Sequence, residues 1–187
     1  MSIYEEEMFK YITKPENFEV AFEINELFSQ VKNKIIEQFW QQVESRLLEL
    51  TKETDWQVSL DDDVFSTWSS LNLTRDEWKE CFYVNYEKLH ESVSHGLWVD
   101  YDDKDLDMKK IAKHSETIEC LQDMKHNNKY WLGWKHIGED FNSISTLKKI
   151  LPDRSQDFED ELAKLLFDLA EEIKPEVDVM NEMRSKS

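Results

Sequence analysis

The chain has 187 residues and a formal net charge of −18 at pH 7, a balance that opposes binding to DNA, RNA or an anionic lipid surface. Seven Trp, six Tyr and ten Phe exclude a disordered acidic tail. Three glycines and three prolines exclude both a Gly-rich phosphate loop and a barrel or sandwich built on many tight turns. At this length roughly two thirds of the unfolded chain's surface is buried on folding, so neither disulfide nor metal is required. Cys81 and Cys120 are the only cysteines and form no CxxC, which fits a reducing compartment where each is a small buried hydrophobe. Residues 1–10 carry Glu5-Glu6-Glu7 and no apolar run, and no stretch approaches a membrane span. The expectation is one cytoplasmic domain over residues 1–187, with residues 1–14 and 176–187 frayed.

In chain order, Pro15 to about Thr51 predicts one long helix or two consecutive ones, with Pro15 in the first turn after Thr13. Ile24, Phe28, Val31, Ile35, Phe39, Val43 and Leu47 recur at steps of three and four, and Leu27, Ile36 and Trp40 widen that stripe. A wide stripe suits packing on a sheet better than a coiled-coil seam. Trp56 to Leu60 alternates as a half-buried strand does, and Asp61-Asp62-Asp63 reads as a turn. Val64 to Leu73 gives mixed signals, and Asn72 to Lys79 reads as a loop or short helical turn. Cys81 to Tyr86 and Gly96 to Tyr101 are rich in strand formers and close enough for an antiparallel pair. Lys104 to about Lys125 predicts a helix, Tyr130 to Ile137 a fourth strand, and Ser145 to Leu151 a short helix. Phe158, Leu162, Leu165, Leu169 and Ile173 predict a final helix ending before Pro175. The fold class is α+β, a small antiparallel sheet packed against long N-terminal and C-terminal helices.

A particular succession stands out: Ile36-Glu37-Gln38-Phe39-Trp40 at a helix end, a Trp-containing strand, Leu97-Trp98, Tyr130-Trp131-Leu132-Gly133-Trp134, a Phe141-Asn142 turn and an acidic last helix. From about Phe18 to Ile173 this order resembles the C-terminal portion of bacterial PD-(D/E)XK nuclease-like proteins. The resemblance implies an α+β domain in a prokaryotic or phage setting. It does not imply nuclease activity, because that family's catalytic core lies upstream of this portion. The nuclease chemistry needs an Asp and a Glu-x-Lys on adjoining strands, where carboxylates hold Mg²⁺ and Lys stabilises charge. Glu77-Trp78-Lys79 downstream of Asp63 matches by letter, as does Glu172-Ile173-Lys174. Thr74-Arg75-Asp76-Glu77, however, reads as a helix start.

Zinc spacing and the common hydrolase motifs are absent. His90 and His95 flank a turn and read as an exposed loop pair rather than metal ligands. Tyr130, Trp131 and Trp134 with Trp98 and Tyr101 could stack bases, but only Lys129 and Lys135 accompany them, so core packing is the stronger reading and any exposed remainder marks a protein interface. The charge is concentrated near the C-terminus, where residues 153–182 hold eleven acids against three Arg or Lys. On the last helix Asp157, Asp160, Glu161, Asp168, Glu171 and Glu172 fall away from the apolar stripe, and Asp102 and Asp103 form a second patch.

Same-face carboxylates at helical spacing resemble the charge density of a nucleic-acid backbone. The primary reading is therefore a non-enzymatic acidic protein that meets a protein partner with a basic surface, and no direct nucleic acid or membrane. Its concrete form is a phage or bacterial inhibitor occupying the nucleic-acid-binding surface of a defence or nucleic-acid enzyme. No cofactor and no metal are expected. The alternative is a stand-alone accessory domain of a PD-(D/E)XK nuclease-like system, or a divergent metal-dependent nuclease.

Overall fold

The computed structural model describes residues 2–126 and 129–183. Helices α1 (Ile3–Ile12) and α2 (Pro15–Thr51) precede strands β1 (Gln57–Leu60) and β2 (Ser70–Thr74). A 3₁₀ turn at Asp76–Trp78 leads into β3 (Phe82–Glu87) and β4 (Ser92–Val99). Short helices α3 (Met108–Ser115) and α4 (Glu119–Gln122), strand β5 (Trp131–Asp140), helix α5 (Ile144–Lys149) and helix α6 (Gln156–Glu182) complete the chain. The strands form one antiparallel sheet in the order β1-β2-β3-β4-β5. This is the α+β arrangement expected from the hydrophobic pattern, with a fifth strand at Ser70–Thr74 where the signals were mixed.

Alternation along the strands divides the sheet into two unlike faces. Leu71, Leu73, Phe82, Val84, Tyr86, Leu97 and Val99 are fully buried in the core, which α2 and α6 cover from one side. From α2, Ile36, Phe39, Trp40, Val43 and Leu47 enter that core. Phe39 stacks on Phe158 of α6 at 5.4 Å between ring centroids. Trp40 lies against Tyr86 and Phe141, and its indole N–H donates to the Leu89 carbonyl at 2.7 Å. The Tyr86 hydroxyl donates to the Leu162 carbonyl at 2.9 Å, so the sheet is hydrogen-bonded to both long helices through buried aromatic groups.

The stripe on α2 is buried over only half its length. Val43 and Leu47 are inaccessible and Ile35 is half-buried, whereas Ile24, Phe28 and Val31 are exposed. Over residues 15–34 the stripe residues Phe28 and Val31 stay about half exposed and Ile24 more so, so this part of the stripe is not packed into the core. Within the two ends expected to fray, residues 3–12 and 176–182 are helical, and residue 1 and residues 184–187 lie outside the described residues. Residues Ile3–Ile12 form α1 behind a capping box made by Ser2 and Glu5, and α6 continues through Pro175 to Glu182. The apolar period explains the latter: Leu166, Leu169, Ile173, Val177 and Met180 are buried, while Leu165 is more than one-third exposed. Pro175 lies on the solvent side, where the carbonyl of Glu171, the bond it cannot complete, is open to water. The predicted helix over Lys104–Lys125 is instead two short helices broken near Thr117, with Lys125 bridging to Trp134 of β5.

The extension of α6 also supplies an ion cluster. Arg75, just past β2 and only 8% exposed, donates from Nε to Asp55 at 2.9 Å and from Nη1 to Asp178 at 2.8 Å. The Trp78 indole donates to the same Asp178 carboxylate at 2.7 Å. Hydrogen bonds from Arg75 hold the Asp55 carboxyl well below its ordinary 3.8, at about 2.

Two outcomes follow for stability. Phe39→Ala should cost about 3–5 kcal/mol in urea unfolding, whereas Phe28→Ala should stay within about 0.5 kcal/mol; equal losses would overturn the placement of α2. Because Asp55 is depressed on folding, its contribution is present above pH 3.8 and is lost as pH falls through about 2. Asp55→Asn should therefore flatten the acid limb between pH 4 and pH 2, and an unchanged limb would place the lability elsewhere.

Candidate functional site

The structure places Asp157, Asp160, Glu161, Asp168, Glu171 and Glu172 on the exposed side of α6. The apolar stripe forces this, since burying one side of a helix presents the other to water. Three of the six are already engaged within the chain. Asp160 lies 3.0 Å from Arg46 of α2, Asp168 lies 2.7 Å from Lys164, and Glu171 accepts the Trp56 indole N–H. Asp102 and Asp103 follow β4 in a loop. Asp102 is exposed and lies 3.8 Å from Lys129. Asp103 is half-buried, its carboxylate 2.7 Å from the Cys81 sulfur and its Oδ1 accepting from the Asp105 amide.

The letter matches to nuclease chemistry fall on unsuitable backbone. Glu77-Trp78-Lys79 occupies the 3₁₀ turn and its left-handed cap, with Trp78 fully buried. Asp63 accepts from the Phe65 amide in the loop before β2. In the second match Ile173 is buried and Lys174 reaches Asp55 at 3.1 Å. Among the described residues no group of three or more His, Cys, Asp or Glu side chains is arranged to hold a metal ion.

A different site emerges on the sheet face that α2 and α6 leave uncovered. Ser59, Asn72, Asn85 and Gly96 are successive register partners on β1, β2, β3 and β4, and so form one row across the strands. With Ser70, Glu87 and Trp131 the three side-chain-bearing residues of this row line an open groove of ≈ 720 Å³. Trp68 and Lys129 also line it, as do Tyr83, Trp98 and Tyr130. The last three form an aromatic bank: Trp98 stacks on Tyr130 at 6.0 Å with an 8° interplanar angle, and Tyr83 meets Trp98 edge-on at 5.5 Å.

The floor is polar and connected. Asn85 Nδ2 donates to Asn72 Oδ1 at 3.2 Å, Asn72 Nδ2 donates to Ser70 Oγ at 2.9 Å, and the Ser70 hydroxyl donates to Asp61 at 3.1 Å. The donors thus point one way along the row. The acceptor at its head, Asn85 Oδ1, is buried without a hydrogen-bond partner, on a residue only 5% exposed. Glu87, two residues along β3, is half-buried; burial pushes its carboxyl above the ordinary value, against a hydrogen bond from Trp131.

Gly96 makes this floor possible. A Cβ there would lie 2.0 Å from the Gly133 carbonyl oxygen, so β4 and β5 approach too closely for any side chain. A register shift between Leu97 and Trp98 pairs Trp98 with Trp131 and Leu97 with Gly133, which sets Leu132 in the core while Trp131 lines the groove.

Of the five aromatic residues weighed from the sequence, Trp98, Tyr130 and Trp131 line the groove and Tyr101 meets Tyr130 edge-on, whereas Trp134 lies against His136 and Lys125. Residues 83, 85 and 87 sat in a strand read for its apolar members, and their common face was legible only from the period of two. The histidine pair is not an exposed loop pair. His90 is half-buried, with its ring nitrogen 3.0 Å from the Val64 carbonyl. His95 lies within β4 at 2% exposure, where burial pushes its imidazole down to about 4. No helix among the described residues is long and apolar enough to cross a membrane. No family model, curated protein or solved structure matches the chain.

Proposed function

We propose that the chain is a non-enzymatic binding protein and that the groove on the open sheet face is its recognition site. The observation that carries this reading is the partnerless Asn85 Oδ1 at the head of a connected polar floor. A buried acceptor left unpaired costs about 1–3 kcal/mol. A protein retains such a group where something outside the folded chain completes it, and it then trades stability for binding. The aromatic bank beside it supports the same reading, since ligand sites combine apolar walls with a few placed polar groups.

A second reading keeps a basic protein partner at the acidic side of α6, in the form of an inhibitor acting in bacterial or phage defence. It is favoured by the exposure of all six carboxylates on one helix. It is weakened by Arg46 and Lys164, which neutralise two of them from within. An accessory role beside a PD-(D/E)XK nuclease remains a proposal of the same rank, resting on the resemblance of element order alone.

The groove reading is tested without knowing the ligand. Asn85→Leu keeps the branched outline of the side chain and removes the orphan acceptor together with the donor to Asn72 Oδ1, so gain and loss offset and unfolding stability should stay within about 1 kcal/mol. A loss of about 2 kcal/mol or more would make Asn85 a structural residue and take away the main support. For the acidic side, reversing Asp160, Glu161, Asp168 and Glu172 to Lys should slow association with a captured basic partner far more than it speeds dissociation, and raised salt should erase the difference. Equal, salt-independent rates would reduce that side to a solvated surface.

A further inference from the structure

We infer that the groove takes a neutral oligosaccharide, an assignment that rests on the groove being the recognition site. The shape argues for an elongated ligand. The floor row crosses four strands, and at roughly 4.8 Å between neighbours it is several times longer than one small ring. The groove's ≈ 720 Å³ likewise exceeds what a single heterocycle fills.

The chemistry then narrows the class. On one side of β3 lie the unpaired Asn85 Oδ1 and the Glu87 carboxyl, which accepts from Trp131, while the Asn85 and Asn72 amides each spend one N–H along the row. The ligand that completes Asn85 must therefore bring a hydrogen-bond donor, and an apolar ligand would leave that acceptor unpaired. A polyanion is opposed by the net charge of −18 and by Glu87 in the groove. A cation finds the aromatic faces already served by the chain's own lysines: Lys129 Nζ lies 4.3 Å from the Tyr130 ring centroid and Lys88 Nζ lies 4.9 Å over Trp68.

Two neutral polar classes compete with a sugar. An extended peptide is captured by backbone pairing along a sheet edge, whereas this site lies across a sheet face and offers side chains only. A single flat base covers one ring and leaves most of the row's length unfilled, and a chain of nucleotides is a polyanion, already opposed by the net charge. A chain of sugar rings meets each requirement. It is uncharged and elongated, it carries hydroxyl donors for Asn85 and Glu87, and its C–H patches can lie on Trp68, which is 65% exposed at the β1–β2 end of the groove.

The test titrates the full chain with glucose-, galactose-, mannose- and N-acetylglucosamine-based series, from monosaccharide to hexasaccharide, by calorimetry and tryptophan fluorescence. Uridine, adenosine and an arginine-rich peptide form the comparison arms. One sugar series should bind, with affinity rising about tenfold or more from monosaccharide to tetrasaccharide, little response to salt, and a loss of about tenfold or more in Asn85→Leu, in Glu87→Gln and in Trp68→Ala. Trp68 is largely exposed, so its variant separates loss of binding from loss of folding. Nucleoside or peptide binding that depends on Asn85 would overturn the sugar assignment and keep the groove. Binding by none of the sugars overturns the assignment as well, and joined to a destabilised Asn85→Leu it removes the groove reading too. Sugar binding unaffected by all three substitutions would move the ligand to another site and likewise overturn the inference.

Discussion

The sheet is covered on one face only, and most of the molecule follows from that constraint. An antiparallel meander can leave one face to water because its side chains alternate. On the covered face, large apolar groups from β2, β3 and β4 meet α2 and α6; His95 Nδ1 is buried there without a hydrogen-bond partner, whereas the Trp40 indole and the Tyr86 hydroxyl are satisfied at a distance in sequence. Trp40 reaches the Leu89 carbonyl and Tyr86 reaches the Leu162 carbonyl. These bonds fix how each helix sits on the sheet, because a buried donor is costly in any arrangement that leaves it unpaired. The other face is free of packing duty, so Ser59, Asn72, Asn85 and Glu87 can occupy a period-two pattern that a doubly covered sheet would not admit.

The charge is managed by separation. The acids of α6 face water, where screening limits their mutual repulsion. Arg75, the one buried Lys or Arg among the described residues, is met by Asp55 and Asp178, both still partly solvated. This arrangement avoids the desolvation that makes fully buried ion pairs weak sources of stability, while tying the end of β2 to the last turns of α6. It also explains why α6 does not stop at Pro175. Val177 and Met180 continue the buried stripe and Asp178 holds Arg75 and Trp78, so tertiary packing outweighs the local cost of proline.

The architecture was legible because it rests on period and burial. The stripe on α2, the β3–β4 pair and the last helix all announce themselves by spacing. What escaped detection depends on partners far away in sequence. The stripe of α2 looks uniform from Ile24 to Leu47, yet only the sheet's extent decides that it is covered from about Ile35 onward. His95 looks like a loop residue until Tyr86 is its register partner. The acidic residues of α6 were placed correctly in the open, but the cations that answer Asp160 and Asp168 differ in origin: Lys164 is one turn away and readable, whereas Arg46 comes from another helix. The groove was the least legible part, because Asn72 and Asn85 are unremarkable singly and acquire meaning only as neighbours across β2 and β3.

That groove and the core are two products of one local irregularity. Among the three glycines, Gly96 is the one against which a neighbouring backbone comes too close for a Cβ, with Gly133 opposite. Close approach there shifts the register by one residue, and a one-residue shift reverses which face each side chain takes. Across the shift Leu97 pairs with Gly133 and Trp98 with Trp131, so Leu132 joins the core and Trp131 lines the groove, where it hydrogen-bonds Glu87. Any side chain at Gly96 would force β4 and β5 apart, because its Cβ would meet the Gly133 carbonyl oxygen. The pairing that sends Leu132 into the core and Trp131 to the groove thus depends on close approach of β4 and β5 at this single position.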